Sequence, residues 1–262
     1  QRVRGEARLV TQVIGGRTRI ATLYQEGAAK IRLPHTHDIS LEAVLMNTAG
    51  GLTGGDRLAW SATAVAGSHL LLTTPASERI YRSLGTDATV ETHLAVEAGA
   101  HLDWLPQETI LFEGSRLARR IEIDLAEDAS LLAVEAVLLG RQAMGEAALS
   151  ARLCDNWRVR RAGRLLHAEA TRLSGDPRER ENLSLLAGAG AFATLLYIGS
   201  DAGARHEAIR ALGPLANLGS SLVGEKLVLR ALAPSGLALR RLIVPIIGLL
   251  AKAGRVPRLW TL

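Results

Sequence analysis

Three groupings in this 262-residue chain have residue types and spacing suited to chemistry. The first is His35-Thr36-His37 with Glu42, where two imidazoles at i and i+2 fall on one side of an extended strand and a carboxylate follows close behind. With Gly27 and Gly50 it approaches the cupin metal pattern, although the gaps after Gly27 and after Glu42 are both longer than that pattern allows. The second is Asn47-Thr48-Ala49-Gly50-Gly51-Leu52-Thr53-Gly54-Gly55-Asp56, whose four glycines describe a backbone that turns through positive φ or is approached closely by another segment. A nucleotide-binding loop needs a lysine after its last glycine and a helix behind it. Here the acid Asp56 would repel phosphate, and the alternating Arg57 to Val65 behind it reads as a strand. The third is a set of isolated nucleophiles. Ser68 and Ser115 follow glycines but lack the nucleophile elbow, and Cys154 is the only cysteine, which excludes an intrachain disulfide and a paired-cysteine zinc site. Cys154 itself reads as a small buried apolar residue. No set of nucleophile, base and orienter emerges, so the chain reads as one that binds and transfers rather than an enzyme.

The elements that must position these residues are mostly strands. Ala7 to Ile14 and Thr18 to Tyr24 flank Gly15-Gly16-Arg17 as a hairpin, and the glycine loop joins the apolar Leu41 to Met46 to the strand from Arg57. Beyond it, Val65 to Leu70, Val96 to Leu102 and Leu125 to Leu131 each show an extended run, a tight turn and a second run. Gly67 and Gly99 are 32 residues apart and Asp128 follows 29 later. A period of this length built from strands predicts a β-solenoid, each rung covering its neighbour's apolar face. Stacked rungs place His69 and His101 at equivalent positions, where they read as two half-exposed histidines. Asn156 to Arg160 and Arg164 to Ala170 form another hairpin around Ala162-Gly163. Asp201 is placed to cap a helix from Ala202 to about Leu218, and Ser235 a second over Gly236 to Lys252, kinked at Pro245. No linker divides the chain, so residues 1–262 read as a single domain.

Composition narrows the partners. The net charge of +5 invites nucleic acid, but aromatics are only 3% of the chain, and the arginine clusters Arg119-Arg120, Arg158 to Arg164 and Arg240-Arg241 lack interleaved rings to stack bases. Basic faces meeting acidic protein partners fit better. The apolar run Leu242 to Leu250 contains Pro245 and falls well short of the about 20 residues that cross a bilayer. Gln1 to Val10 is charged, without a signal-peptide core, so a cytoplasmic location is expected. Leu242, Ile243, Ile246, Ile247 and Leu250 beside Arg240, Arg241, Arg255 and Arg258 read as a protein-docking face.

The glycine stretch Asn47 to Asp56 resembles the signature loop of the urease accessory proteins called UreD (UreH in some bacteria). Four further segments resemble that family in the same order: Thr73 to Ser83, Leu105 to Ser115, Leu139 to Glu146, and Pro257-Arg258-Leu259-Trp260. Ala49 and Gln142 depart from the family's usual wording without touching an acid. The resemblance implies a mainly β fold, a right-handed β-helix-like scaffold with two late α-helices. It also implies a nickel-insertion chaperone that binds urease apoprotein and, through UreF, the GTPase UreG, as a homodimer within the accessory complex. On the same resemblance no permanently bound cofactor is expected, and nickel is expected to pass through a water-filled interior tunnel. Carried over by motif, Asp56, Ser77, Glu135 and Glu169 are expected to line it, whereas Glu78, Glu97 and Glu127 read as carboxylates solvated in turns.

Overall fold

The computed structural model describes residues 2–36, 38–141 and 144–261. The strands β1 (Arg4–Ile14) and β2 (Arg17–Gly27) form the expected hairpin, followed by β3 (Ala29–Arg32) and β4 (Leu41–Asn47). The coils follow: β5 (Arg57–Ala64) into β6 (His69–Thr73), β7 (Glu78–Ile80), β8 (Ala88–Val96) into β9 (His101–Leu105), β10 (Thr109–Leu111), and β11 (Arg116–Leu125) into β12 (Ser130–Leu139). Each coil gives one strand to either wall. The seven-stranded wall runs β14-β13-β11-β8-β5-β1-β2, where β13 (Arg152–Arg161) and β14 (Arg164–Leu173) are the late hairpin. The opposite sheet contains β3, β4, β6, β9 and β12, then β15 (Ala191–Ile198), β16 (Leu218–Val223) and β17 (Lys226–Ala233). The result is a β-solenoid of about four turns with helices α1 (Arg178–Glu181), α2 (Ala202–Arg210) and α3 (Gly236–Leu250).

The thirty-residue period reflects the parallel pairing of successive coils. In register, His69 stands beside His101 and His101 beside Ser130. At the turns, the Gly67 amide donates to the Ala98 carbonyl at 2.9 Å, and the Gly99 amide to Asp128 Oδ1 at 3.0 Å. Coil stacking is therefore fixed at the corners as well as in the walls.

The glycine loop is shaped by what lies against it. The Leu52 amide donates to the Arg79 carbonyl at 2.8 Å and the Tyr81 amide to the Leu52 carbonyl at 2.7 Å, so residues 79–86 run directly against the loop. A Cβ on Gly54 would lie 2.1 Å from Ser83 Oγ and 2.4 Å from the Thr86 carbonyl oxygen, and one on Gly51, at φ 147°, would lie 2.4 Å from the Tyr81 ring. Close approach accounts for the missing side chains of Gly51 and Gly54, and positive φ for that of Gly50.

Aliphatic side chains from both walls fill the solenoid interior, and a second core covers the outer face of the larger sheet. Strand β12 is buried on both faces, which explains its nearly unbroken apolar sequence. The second core corrects the docking-face expectation. Ile243, Ile246, Ile247 and Leu250 are fully buried in it, each contributing about 1.5–3 kcal/mol of transfer free energy. Arg240 is tied to Glu108 at 3.0 Å and to the Trp260 carbonyl at 2.9 Å. Helix α3 is thus a structural lid on the sheet.

Other expectations shift at element ends. Ser235 Oγ accepts from the Ala238 amide at 3.2 Å, as a cap should, but α3 ends at Leu250 instead of Lys252. Helix α2 ends at Arg210, short of Leu218, because Gly213-Pro214 follows its last turn. Asp201 precedes α2 without capping it; its carboxylate accepts from the Tyr197 hydroxyl and from Arg205 Nε. Cys154 is exposed, since the alternation of β13 buries Leu153 and Asp155 and turns the thiol outward. No described helix is long and apolar enough to cross a membrane.

Candidate functional site

Between the walls lies a cavity of about 240 Å³, built from residues on several coils. Trp60 and Arg119 reach it from the seven-stranded wall; Trp104, Thr109 and Glu135 reach it from the other, and Ser77 and Glu78 bound it at β7. Arg119 points inward because it shares the buried phase of β11 with Leu117 and Ile121. Its Nε and Nη2 donate to Asp155 at 3.0 and 2.6 Å, while Nη1 donates to Thr109 Oγ1 at 3.2 Å and to Glu135. Glu135 also accepts from Trp104 Nε1 at 2.8 Å.

Burial sets the charge states here. It pushes the Glu78 carboxyl up to about 7, against the opposing hydrogen bond from Asn47 Nδ2 at 3.0 Å. Burial likewise raises Glu135; Arg119 pulls it down and the Asp155 charge adds to the rise. Burial works against the Arg119 charge, but Asp155 and Glu135 more than offset it and hold the guanidinium protonated. Two carboxylates on one guanidinium leave this pocket electronegative when both are ionised, a setting that favours a cation.

The polar residues continue past the cavity as a row. In strand register, Glu135 lies opposite Thr194 and Thr194 opposite Arg230; on the facing wall, Arg119 lies beside Asp155 and Asp155 opposite Thr171. Thr171, Thr194 and Arg230 line a second cavity of about 440 Å³. Beside it, Glu169 accepts two parallel hydrogen bonds from Arg230 at 2.7 and 2.8 Å and lies 3.5 Å from His167 Nε2. Burial alone raises Glu169, but His167 and Arg230 outweigh it and hold the carboxyl below its usual range.

Of the four residues inferred from sequence, Ser77 and Glu135 share the first cavity. Ser77 Oγ donates to Glu108 at 3.3 Å. Glu169 is buried at the far end of the row. Asp56 is buried but borders neither of these cavities; its carboxylate accepts from the amides of Val3 and Thr53, both at 2.8 Å, and pins the glycine loop to the first strand. Glu78, read from sequence as a solvated turn acid, is a half-buried cavity acid. Asp155 and Thr194 carry no site signal in the sequence, and Arg119 stands out there only as half of a basic pair. The inward phase of a charged residue in Leu117-x-Arg119-x-Ile121 was the available signal for Arg119. His35 is exposed and Glu42 partly buried, while His37 lies outside the described residues.

Comparison with known proteins matches the sequence over nearly its whole length. The model of the UreD urease accessory protein family matches residues 3–261. Urease accessory protein UreD of Chelativorans sp. (strain BNC1) is 59% identical over 263 residues, covering 100% of this chain and 95% of the relative. The Rhizobium etli protein of the same name is 51% identical, covering 100% of this chain and 96% of the relative, and that of Agrobacterium fabrum 49%, covering 100% and 92%. With the match running from the first hairpin to the last tryptophan, the chain belongs to the UreD urease accessory protein family.

Proposed function

We propose that this protein is a nickel-insertion scaffold in the cytoplasm. It binds urease apoprotein and, through UreF, the GTPase UreG, as a homodimer within the accessory complex, and hands nickel toward the urease site through its interior. Nickel is cargo in this reading, and no bond is made or broken on the protein. The observation that supports it is the run of polar residues in strand register, from Glu135 to Thr194 to Arg230, which leads from the cavity at Ser77, Glu78 and Glu135 toward the cavity at Thr171, Thr194 and Arg230. A divalent ion crossing a protein needs oxygen donors spaced for successive contacts and a hold weak enough to release it. Glu78 and Glu135 supply carboxylate oxygens, Ser77 and Thr194 neutral ones, and Glu169 takes the ion at the far end. Asp56 serves the route by holding the glycine loop in place. Family membership leaves the cupin-like enzyme built on His35, His37 and Glu42 without support.

The test is the double variant Glu78→Gln/Glu135→Gln, co-expressed with urease and the other accessory proteins. Side-chain shape is nearly kept while both negative charges are lost; at Glu135 one of the two acceptors for Trp104 and Arg119 is lost as well, so folding of the variant is checked first. Lower nickel content of urease is expected, with capture of UreF unchanged; full nickel loading by a folded double variant overturns the route.

A further inference from the structure

On the outer face of the larger sheet, away from the interior row, three side chains of metal-ligating type converge. His69 on β6 and His101 on β9 are register partners, and Asp103 is two residues beyond His101 on the same face. His69 Nε2 lies 2.8 Å from Asp103 Oδ2, and His101 Nε2 lies 2.9 Å from Asp103 Oδ1. The rings meet edge to face, centroids 5.0 Å apart and planes at 79°, which lets both Nε2 atoms aim at one carboxylate. All three ligand atoms lie within 4.8 Å of one another.

We propose that His69 Nε2, His101 Nε2 and an Asp103 oxygen form a binding site for a single divalent transition cation of the zinc-to-nickel class, separate from the interior row. Two imidazoles and a carboxylate suit that class and select against calcium and magnesium, which take oxygen ligands. Bonds of about 2.1 Å at tetrahedral angles place donor atoms about 3.4 Å apart, so the present spacing needs only a small outward shift to admit an ion.

The surroundings favour the assignment. Ser130 Oγ lies 2.7 Å from His101 Nδ1. A hydroxyl can accept as well as donate, so it can take the Nδ1 proton while Nε2 offers its lone pair, the outer-partner arrangement that orients a ligating histidine. Asp103 is fully buried, which fixes the carboxylate. The His69 side chain is 11% exposed and offers the path of entry. Binding an ion requires each neutral imidazole to carry its proton on Nδ1 instead of Nε2, and on His101 Ser130 Oγ is placed to accept it.

The experiment is titration of the purified full chain with cobalt(II), read by visible absorption, followed by displacement with zinc. The wild type is expected to bind a single equivalent with nitrogen-ligand absorption. His69→Gln keeps an amide that can still donate to Asp103, so it should fold normally yet bind at least about tenfold more weakly. Ser130→Ala should weaken binding by about tenfold through His101. Glu78→Gln, which alters the interior cavity, should retain the ion. A wild type that binds no cobalt, a folded His69→Gln with wild-type affinity, or an ion lost in Glu78→Gln and kept in His69→Gln each overturns the site. Because the readout is metal binding by the isolated protein, its failure leaves the interior route untouched, and the reverse also holds.

Discussion

Glu135 and Thr194 stand opposite each other in the antiparallel pairing of β12 with β15, the acid lining the cavity between the walls and the hydroxyl-bearing side chain the second, more open cavity. That pair sets a lining residue of each space directly across one strand pairing. Thr194→Val keeps the side-chain shape and removes the oxygen, so stability should change by about 1 kcal/mol or less. Nickel delivery to urease should nevertheless fall, measured as urease nickel content in cells producing equal amounts of folded protein. An unchanged nickel content would place any route elsewhere.

Arg119 is the shared counter-charge of Asp155 and Glu135, with all three groups removed from water. Replacing it by methionine leaves buried carboxylates without a partner. Arg119→Met is expected to cost about 3–5 kcal/mol in urea unfolding. The triple variant Arg119→Met/Glu135→Gln/Asp155→Asn should recover part of that loss, and a single variant as stable as the wild type would show that the guanidinium is dispensable.

Glu78 gives a pH dependence with a definite sign. Its folded-state value of about 7 lies above the ordinary 4.5, so between those values the folded chain holds more of this proton than the unfolded chain does. The associated penalty is absent below pH 4.5, grows as pH rises through the window and is complete above about 7. After allowance for partial exposure it amounts to about 2 kcal/mol. Denaturant unfolding at pH 5 and pH 8 should therefore show Glu78→Gln gaining on the wild type at the higher pH; parallel behaviour of the two proteins would contradict the burial argument.

The glycine loop offers a steric comparison. Gly54→Ala drives a methyl group into Ser83 and Thr86 and should destabilise by about 1–3 kcal/mol. Gly50, at φ 77° with open space around it, should accept asparagine at about 1 kcal/mol or less. Thermal melts of the two variants check the order, and a loss at Gly50 as large as or larger than that at Gly54 would mean that close packing does not govern the loop.

The fold was legible because its strongest signals are local or periodic. Glycine turns spaced by one coil announced the stack, and Ser235 announced the start of α3. The cavity was not legible, since Glu78, Arg119 and Glu135 come together only through coil stacking, and Asp155 faces Arg119 from 36 residues away. Glu78 looked like any turn acid until the second wall closed over it. The apolar stripe of α3 showed that a face would be covered but could not say by what; the outer side of β12 and β15 needed the same cover a partner would have given.

A stack of parallel coils leaves an unfinished row of backbone donors and acceptors at each end, an invitation to fibre growth. The seven-stranded wall ends instead in β2 and β14, both returning hairpin arms with exposed Arg19, Arg164 and Arg172. Another coil arriving in the same direction meets, at either edge, a strand running the wrong way that carries exposed arginine. The protein can therefore use a filament-forming architecture and still stop at a fixed length.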